Sequence, residues 1–289
     1  MFPLIQSPTP VAVGQSRYAT VGGHEIHYLD WGSPDAPVVV LWHGLARTCH
    51  DFDRLAAALA PGRRVICPDT IGRGLSEWST APKQDYCFEA YGKIARQLLD
   101  DLGVGEIDWI GTSMGGAFGI YAAATVLRDR VRRLVLNDIG PTMPPGPLAR
   151  IGAYIGQPPA FRKITELESY FRTTYAPFGW HSDAEWQRMT ETMCRRLADG
   201  RVTPHHDPAI AGQFFDHPDD FEQWDRYDTL TAKTLVLRGE NSVVLPPEVA
   251  EAMAMRGPMA RIVEVADCGH APALNTAAQI RLITDFLGI

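Results

Sequence analysis

Cysteine is scarce and unpatterned. Cys49, Cys67, Cys87, Cys194 and Cys268 are scattered, odd in number and form no C-x-x-C pair. The chain therefore has no disulfide framework, and these read as reduced, mostly buried thiols of a cytoplasmic protein. Cys49 and Cys268 stand near the motifs described below, which makes either a candidate accessible thiol. No stretch reaches the ~18 apolar residues of a membrane helix, and Met1–Gln6 lacks the basic and apolar regions of a signal peptide. Basic charge is also short. Lys and Arg number 27 against 34 Asp and Glu, a net charge of −7, which argues against a nucleic-acid backbone as partner. No repeat, low-complexity tract or Gly-rich phosphate loop occurs. His24/His27 and His205/His206 lack metal-site spacing and read as surface or loop residues. The expectation is a protein without metal, cofactor or membrane contact, acting on a small-molecule substrate as a monomer or homo-oligomer.

What is present is enough for a large core: 289 residues, 45% apolar and 21% charged. Residues 1–17 read as an extended arm. Apolar β-prone runs then follow at Glu25–Trp31, Pro37–Trp42, Arg64–Cys67, Ile107–Ile110, Val131–Leu136, Thr234–Gly239 and Arg261–Val265. Helical patterns separate most of them, at Asp51–Leu59, Phe88–Leu102, Ala117 to about Leu127, Pro247–Met255 and Thr276–Leu287. Alternation of this kind implies an α/β fold, a mostly parallel sheet of about eight strands with helices on both faces. It breaks between 142 and 230, a stretch rich in aromatics (among them Tyr154, Phe171, Trp186 and Phe214) and without a convincing central strand. We read 142–230 as a helical insertion between core segments 1–141 and 231–289.

The chemistry centres on Gly111-Thr112-Ser113-Met114-Gly115-Gly116. A strand, a sharp turn with Ser at its apex and a helix make a nucleophile elbow, and the flanking glycines allow strand and helix to approach closely. Upstream, His43-Gly44-Leu45 ends a central strand. The N–H groups of Leu45 and Met114 are candidate oxyanion donors. His43, directly before Gly44, shapes its loop by hydrogen bonding, and Asp69 and Arg73 brace the loop Pro68–Ser76.

His43-Gly44, Pro68-Asp69…Gly72-Arg73-Gly74-Leu75-Ser76, Gly111–Gly116, Arg238-Gly239-Glu240-Asn241-Ser242 and Gly269-His270 occur in this order. Together they resemble the α/β-hydrolase superfamily over essentially the whole chain. The resemblance implies Ser113 as nucleophile, His270 as the base that takes its proton, and residues 142–230 as a cap over the site. It fails at the third member. Where related enzymes carry Ser-Asp, this chain has Ser242-Val243, and valine accepts no hydrogen bond. Some family members place the acid just after the strand that follows the elbow helix, which here is Asp138. Glu240 and Asp267 are weaker substitutes. The expected activity is hydrolysis of an ester, lactone or thioester of an apolar substrate through an acyl-enzyme. The alternatives are carbon–carbon bond hydrolysis in aromatic degradation, or, if Val243 means a missing acid, a low-turnover ligand-binding or non-hydrolytic protein. Ser113 rules against the haloalkane dehalogenases and epoxide hydrolases of this fold, which need an Asp nucleophile.

Overall fold

The computed structural model describes residues 13–289, apart from side chains at 148–150 and 153. Ten strands are present among them: β1 (Gln15–Val21), β2 (His24–Trp31), β3 (Val38–Trp42), β4 (Arg64–Pro68), β5 (Ile107–Thr112), β6 (Val131–Asn137), β7 (Cys194–Arg196), β8 (Val202–Pro204), β9 (Lys233–Gly239) and β10 (Arg261–Val265). Eight of them form one sheet in the order β1-β2-β4-β3-β5-β6-β9-β10. β1 and β2 run antiparallel to each other, and β2 to β4, while every other pair is parallel.

The arm expected over 1–17 lies partly outside the described residues. From Gln15 onward it is β1, paired residue for residue with β2. Its largely exposed sequence QSRYATV carries no apolar alternation, so the strand is recruited by its neighbour's open edge rather than by its own pattern. The insertion is helical, with helices at Pro145–Gly156, Ile164–Thr174 and Asp183–Thr192, but also holds the short antiparallel ribbon β7–β8.

The pleat sorts the central strands between two cores. Val40 and Trp42 face one side, where Trp42 stacks on Trp109 at 5.2 Å and meets Phe118 edge-on at 4.8 Å. Val39 and Leu41 face the other side, with Phe52, Leu55 and Ile283. A third cluster, Leu167, Phe171, Tyr175, Trp186, Met189 and Met193, belongs to the insertion. Several of its aromatics therefore serve its own packing.

Parallel pairing brings the strand ends into line. Trp42 pairs with Gly111, Thr112 with Asn137, Asn137 with Leu237, and Gly239 with Val265. The loops that begin at His43, Ser113 and Asp138, and the loop after β10 that carries His270, thus leave one edge, where α/β sheets bind ligands. The elbow fits because its glycines lack Cβ atoms. One on Gly115 would lie 2.0 Å from the Trp42 carbonyl oxygen, and one on Gly111 2.1 Å from that of Gly115. Both obstacles are backbone, so neither can swing away. Gly115→Ala is expected to cost about 3 kcal/mol or more, read as a lower urea midpoint; an unchanged midpoint would contradict this packing.

Candidate active site

Ser113 sits at φ 53°, ψ −120° between β5 and the helix Met114–Ala124, a strained conformation for a residue with a Cβ. The turn is fixed by the Ser113 N–H on Asn137 O at 3.0 Å and by the N–H groups of Gly116 and Ala117 on Ser113 O. Its Oγ lies 2.7 Å from His270 Nε2. On the far side of the ring, His270 Nδ1 lies 2.7 Å from Asp138 Oδ2. A carboxylate only accepts, so the ring proton belongs on Nδ1 and Nε2 is left to accept from the Ser113 hydroxyl.

Asp138 is fully buried and accepts three hydrogen bonds. Besides His270, the Gly239 N–H reaches Oδ1 at 2.7 Å and the Ser242 hydroxyl reaches Oδ2 at 2.6 Å. Ser242 itself accepts from the N–H groups of Val244 and Leu245. The motif that ordinarily presents an acid here supplies a hydroxyl to one instead. Val243 is more than half exposed and lines the cavity. Glu240 and Asp267 are both exposed, and the Asp267 N–H donates to the Glu240 carboxylate. Neither reaches His270.

The loop after β3 is held from three sides. The Gly44 carbonyl accepts from His43 Nδ1 at 2.7 Å and from the Arg47 N–H at 3.1 Å, while Leu45 O accepts from Arg73 Nε at 2.8 Å. Gly44 C=O and Leu45 N–H share one planar trans peptide, so pinning the oxygen aims the N–H oppositely. Neither Leu45 N–H nor Met114 N–H donates to a protein group among the described residues, and both residues line the cavity beside Ser113. His43 Nε2 accepts from the Thr70 N–H at 2.9 Å, and burial lowers its pKa, so it stays a neutral fixed spacer.

Asp69 braces the next loop. It accepts from His27 Nδ1 at 2.7 Å, Leu75 N–H at 3.0 Å and Cys49 N–H at 2.8 Å. A Cβ on Gly74 would collide with this carboxylate. Burial opposes its charge, but the hydrogen bonds from His27 and from the Cys49 N–H help outweigh it, and its pKa comes down to about 2. Of the histidines expected at surface or loop positions, His205 and His206 lie in the loop after β8 but are buried, and His27 is buried within β2, with both ring nitrogens bonded, to Asp69 and to Ser16. His27, Cys49 and Asp69 bring their ligand atoms within 4.8 Å of one another, but His27 Nδ1 is spent on Asp69. Nor are Cys49 and Cys268 accessible. Both are buried, and burial raises both thiols, Cys268 to about 11.

The cavity at Ser113 measures about 310 Å³. Its floor is the sheet edge and its walls come from the insertion, through Ile151, Ile155, Tyr175, Phe178 and Phe214 among others. The sequence model of the alpha/beta hydrolase fold matches residues 37–276. This chain belongs to the α/β-hydrolase family. It is 37% identical over 275 residues to a 3-hydroxybutyrate-oligomer hydrolase of Cupriavidus necator, covering 92% of this chain and 93% of that one. A 2-hydroxy-6-oxononadienedioate/2-hydroxy-6-oxononatrienedioate hydrolase of Cupriavidus pinatubonensis is 28% identical over 291 residues, covering 95% and 96%. The crystal structure of an α/β hydrolase from Novosphingobium aromaticivorans superposes with a TM-score of 0.83 at 31% identity, covering 95% of this chain and 98% of that one. The α/β-hydrolase sheet and its hydrolase relatives make this chain a hydrolase of that fold. No helix among the described residues is long and apolar enough to cross a membrane.

His43 shapes its loop by hydrogen bonding as expected, through the Gly44 carbonyl next to it. Sequence reasoning missed Ser242 as a donor to Asp138, a contact across 104 positions that no local pattern encodes. The Asp69 brace predicts a pH effect. A folded pKa of about 2 against ~3.9 unfolded stabilises by roughly 2–3 kcal/mol above pH 4, lost as pH falls towards 2. Asp69→Asn should be less stable by about that amount at pH 7, and the gap should narrow below pH 4 in denaturant titrations; a pH-independent gap would contradict the brace.

Proposed function

We propose that this α/β hydrolase cleaves carboxylic esters through an acyl-enzyme, with short oligoesters of hydroxy acids as the substrate class. The observation that carries the proposal is the unbroken chain Ser113 Oγ–His270 Nε2 at 2.7 Å and His270 Nδ1–Asp138 Oδ2 at 2.7 Å, opening on a largely apolar cavity.

In this reading the Ser113 oxygen attacks the ester carbonyl while its proton passes to His270 Nε2. Asp138 holds the ring in the tautomer that can accept and offsets the imidazolium charge. The carbonyl oxygen, now an anion, takes the N–H groups of Leu45 and Met114. His270 returns the proton to the departing alcohol. Water, deprotonated by the same nitrogen, then attacks the acyl carbon and frees Ser113. Residues 142–230 serve as the cap, whose Tyr175, Phe178 and Phe214 exclude water from the reacting centre.

Ester chemistry is favoured over carbon–carbon bond hydrolysis by the relatives. The 3-hydroxybutyrate-oligomer hydrolase is 37% identical, against 28% for the dioate hydrolase at similar coverage. The ligand-binding and non-hydrolytic alternatives were motivated by Val243. With a buried carboxylate on His270 they lose that motive.

Hydrolysis of p-nitrophenyl butyrate tests this, with Ser113→Ala as the blank. Wild type should turn over well above the blank, and Asp138→Asn should lose about three to four orders of magnitude in kcat while melting within a few degrees of wild type. Equal rates for wild type and Asp138→Asn would show that Asp138 is not the acid. Wild type at the level of the blank, on this ester and on a 3-hydroxybutyrate dimer, would overturn the ester reading.

A further inference from the structure

Arg47 lies two residues beyond Leu45 and is 6% exposed. It stands in the wall between two cavities, the Ser113 chamber and a more polar side chamber of about 90 Å³, which share Arg47, Thr112 and Phe178. Its side chain starts close to the nucleophile. A Cβ built on Gly44 would lie 3.3 Å from Arg47 Cγ and 3.7 Å from Ser113 Cβ.

The guanidinium is held firmly. Nε and Nη2 form a fork on Asp51 at 2.8 and 2.7 Å. The Tyr175 and Phe178 rings lie against it, their centroids 4.3 and 5.1 Å away. The third nitrogen is nearly idle. Nη1 has one partner among the described residues, the Met189 thioether at 3.5 Å, and sulfur is a weak acceptor. The acidic groups of the side chamber are engaged elsewhere: Asp53 meets His50 and Arg188, and Glu185 meets Arg54 and the Ser182 N–H. A rigid cation with one under-used N–H edge, buried in the wall of the cavity that holds Ser113, is suited to an anionic oxygen.

We propose that Arg47 determines specificity for acidic esters, its Nη1 edge taking the free carboxylate on the leaving-group side of the scissile bond. This rests on the ester reading above and adds to it a requirement for an acid end. The oligoester would place its acyl half in the apolar chamber and its carboxylate-bearing alcohol half towards the polar one. Expulsion of that half as a hydroxy acid would keep the charge beside Arg47 until release.

The test compares kcat/KM for cleavage of the internal ester bond, read by chromatography of the two halves, in the 3-hydroxybutyrate dimer as free acid and as its methyl ester, which differ in the charge at the acid end. Wild type should prefer the acid. Arg47→Gln should lower the acid-to-methyl-ester ratio by about tenfold or more, mainly through KM, with Arg47→Lys in between. An unchanged ratio overturns the proposal, including the case where both substrates decline in parallel, which marks Arg47 as structural. Should Arg47→Gln not fold, wild type alone decides. The 3-hydroxybutyrate anion should inhibit p-nitrophenyl butyrate hydrolysis competitively and 3-hydroxybutyramide, which carries neither the charge nor an ester bond, should not; equal inhibition overturns the assignment. Wild type active on p-nitrophenyl butyrate but indifferent to the acid end contradicts Arg47 alone, whereas wild type inert on all three esters removes the ester reading with it.

Discussion

The contact between Asp138 and His270 is the one on which the rest of the site depends. A carboxylate with no solvent access is costly unless its lone pairs are filled, and here the Gly239 N–H, the Ser242 hydroxyl and the His270 ring fill them. Those donors come from two segments, the end of β9 with the loop that follows it and the loop after β10. The buried charge therefore ties the end of β6 to the loops after β9 and β10 and fixes the imidazole relative to the elbow. Loss of any one donor would leave a lone pair unpaired in a dry environment.

A second set of contacts does for the loop after β3 what Asp138 does for the histidine. His43, the Arg47 backbone and Arg73 pin two successive carbonyls, Gly44 and Leu45, leaving the Leu45 N–H without a protein partner among the described residues. None of these three needs to meet substrate through that contact. Their function is to remove freedom before substrate arrives, so that on the proposed mechanism no reorganisation is left for the reaction itself. Residues 142–230 line the same cavity. They keep a core of their own around Phe171 and Trp186 and spend Tyr175 and Phe178 on the wall that Arg47 stiffens.

The central architecture was legible because it is local. Runs such as Val38–Trp42 and the elbow glycines carry their strand and turn in their own side chains, and the order of motifs implied the family. Asp138 could be nominated from its position after β6, but only topology brings it to 2.7 Å from a residue 132 positions away. Two features were hidden for opposite reasons. β1 has no apolar alternation because it is an exposed edge, so periodicity passed over it. His27, His205 and His206 are polar residues without metal spacing, which suggested a surface or loop position. They are buried in loops and strands whose packing is set by distant partners, among them Asp69.

The central claim is that Ser113 is made nucleophilic by His270 and Asp138. Its most direct test is to treat the protein with a fluorophosphonate, locate the adduct by peptide mass spectrometry and measure the labelling rate. The account predicts a single adduct on Ser113, formed quickly in wild type and slowly in His270→Gln and Asp138→Asn, with Val243→Ala close to wild type. An adduct on another residue, or labelling of Ser113 at the wild-type rate without Asp138, would contradict it.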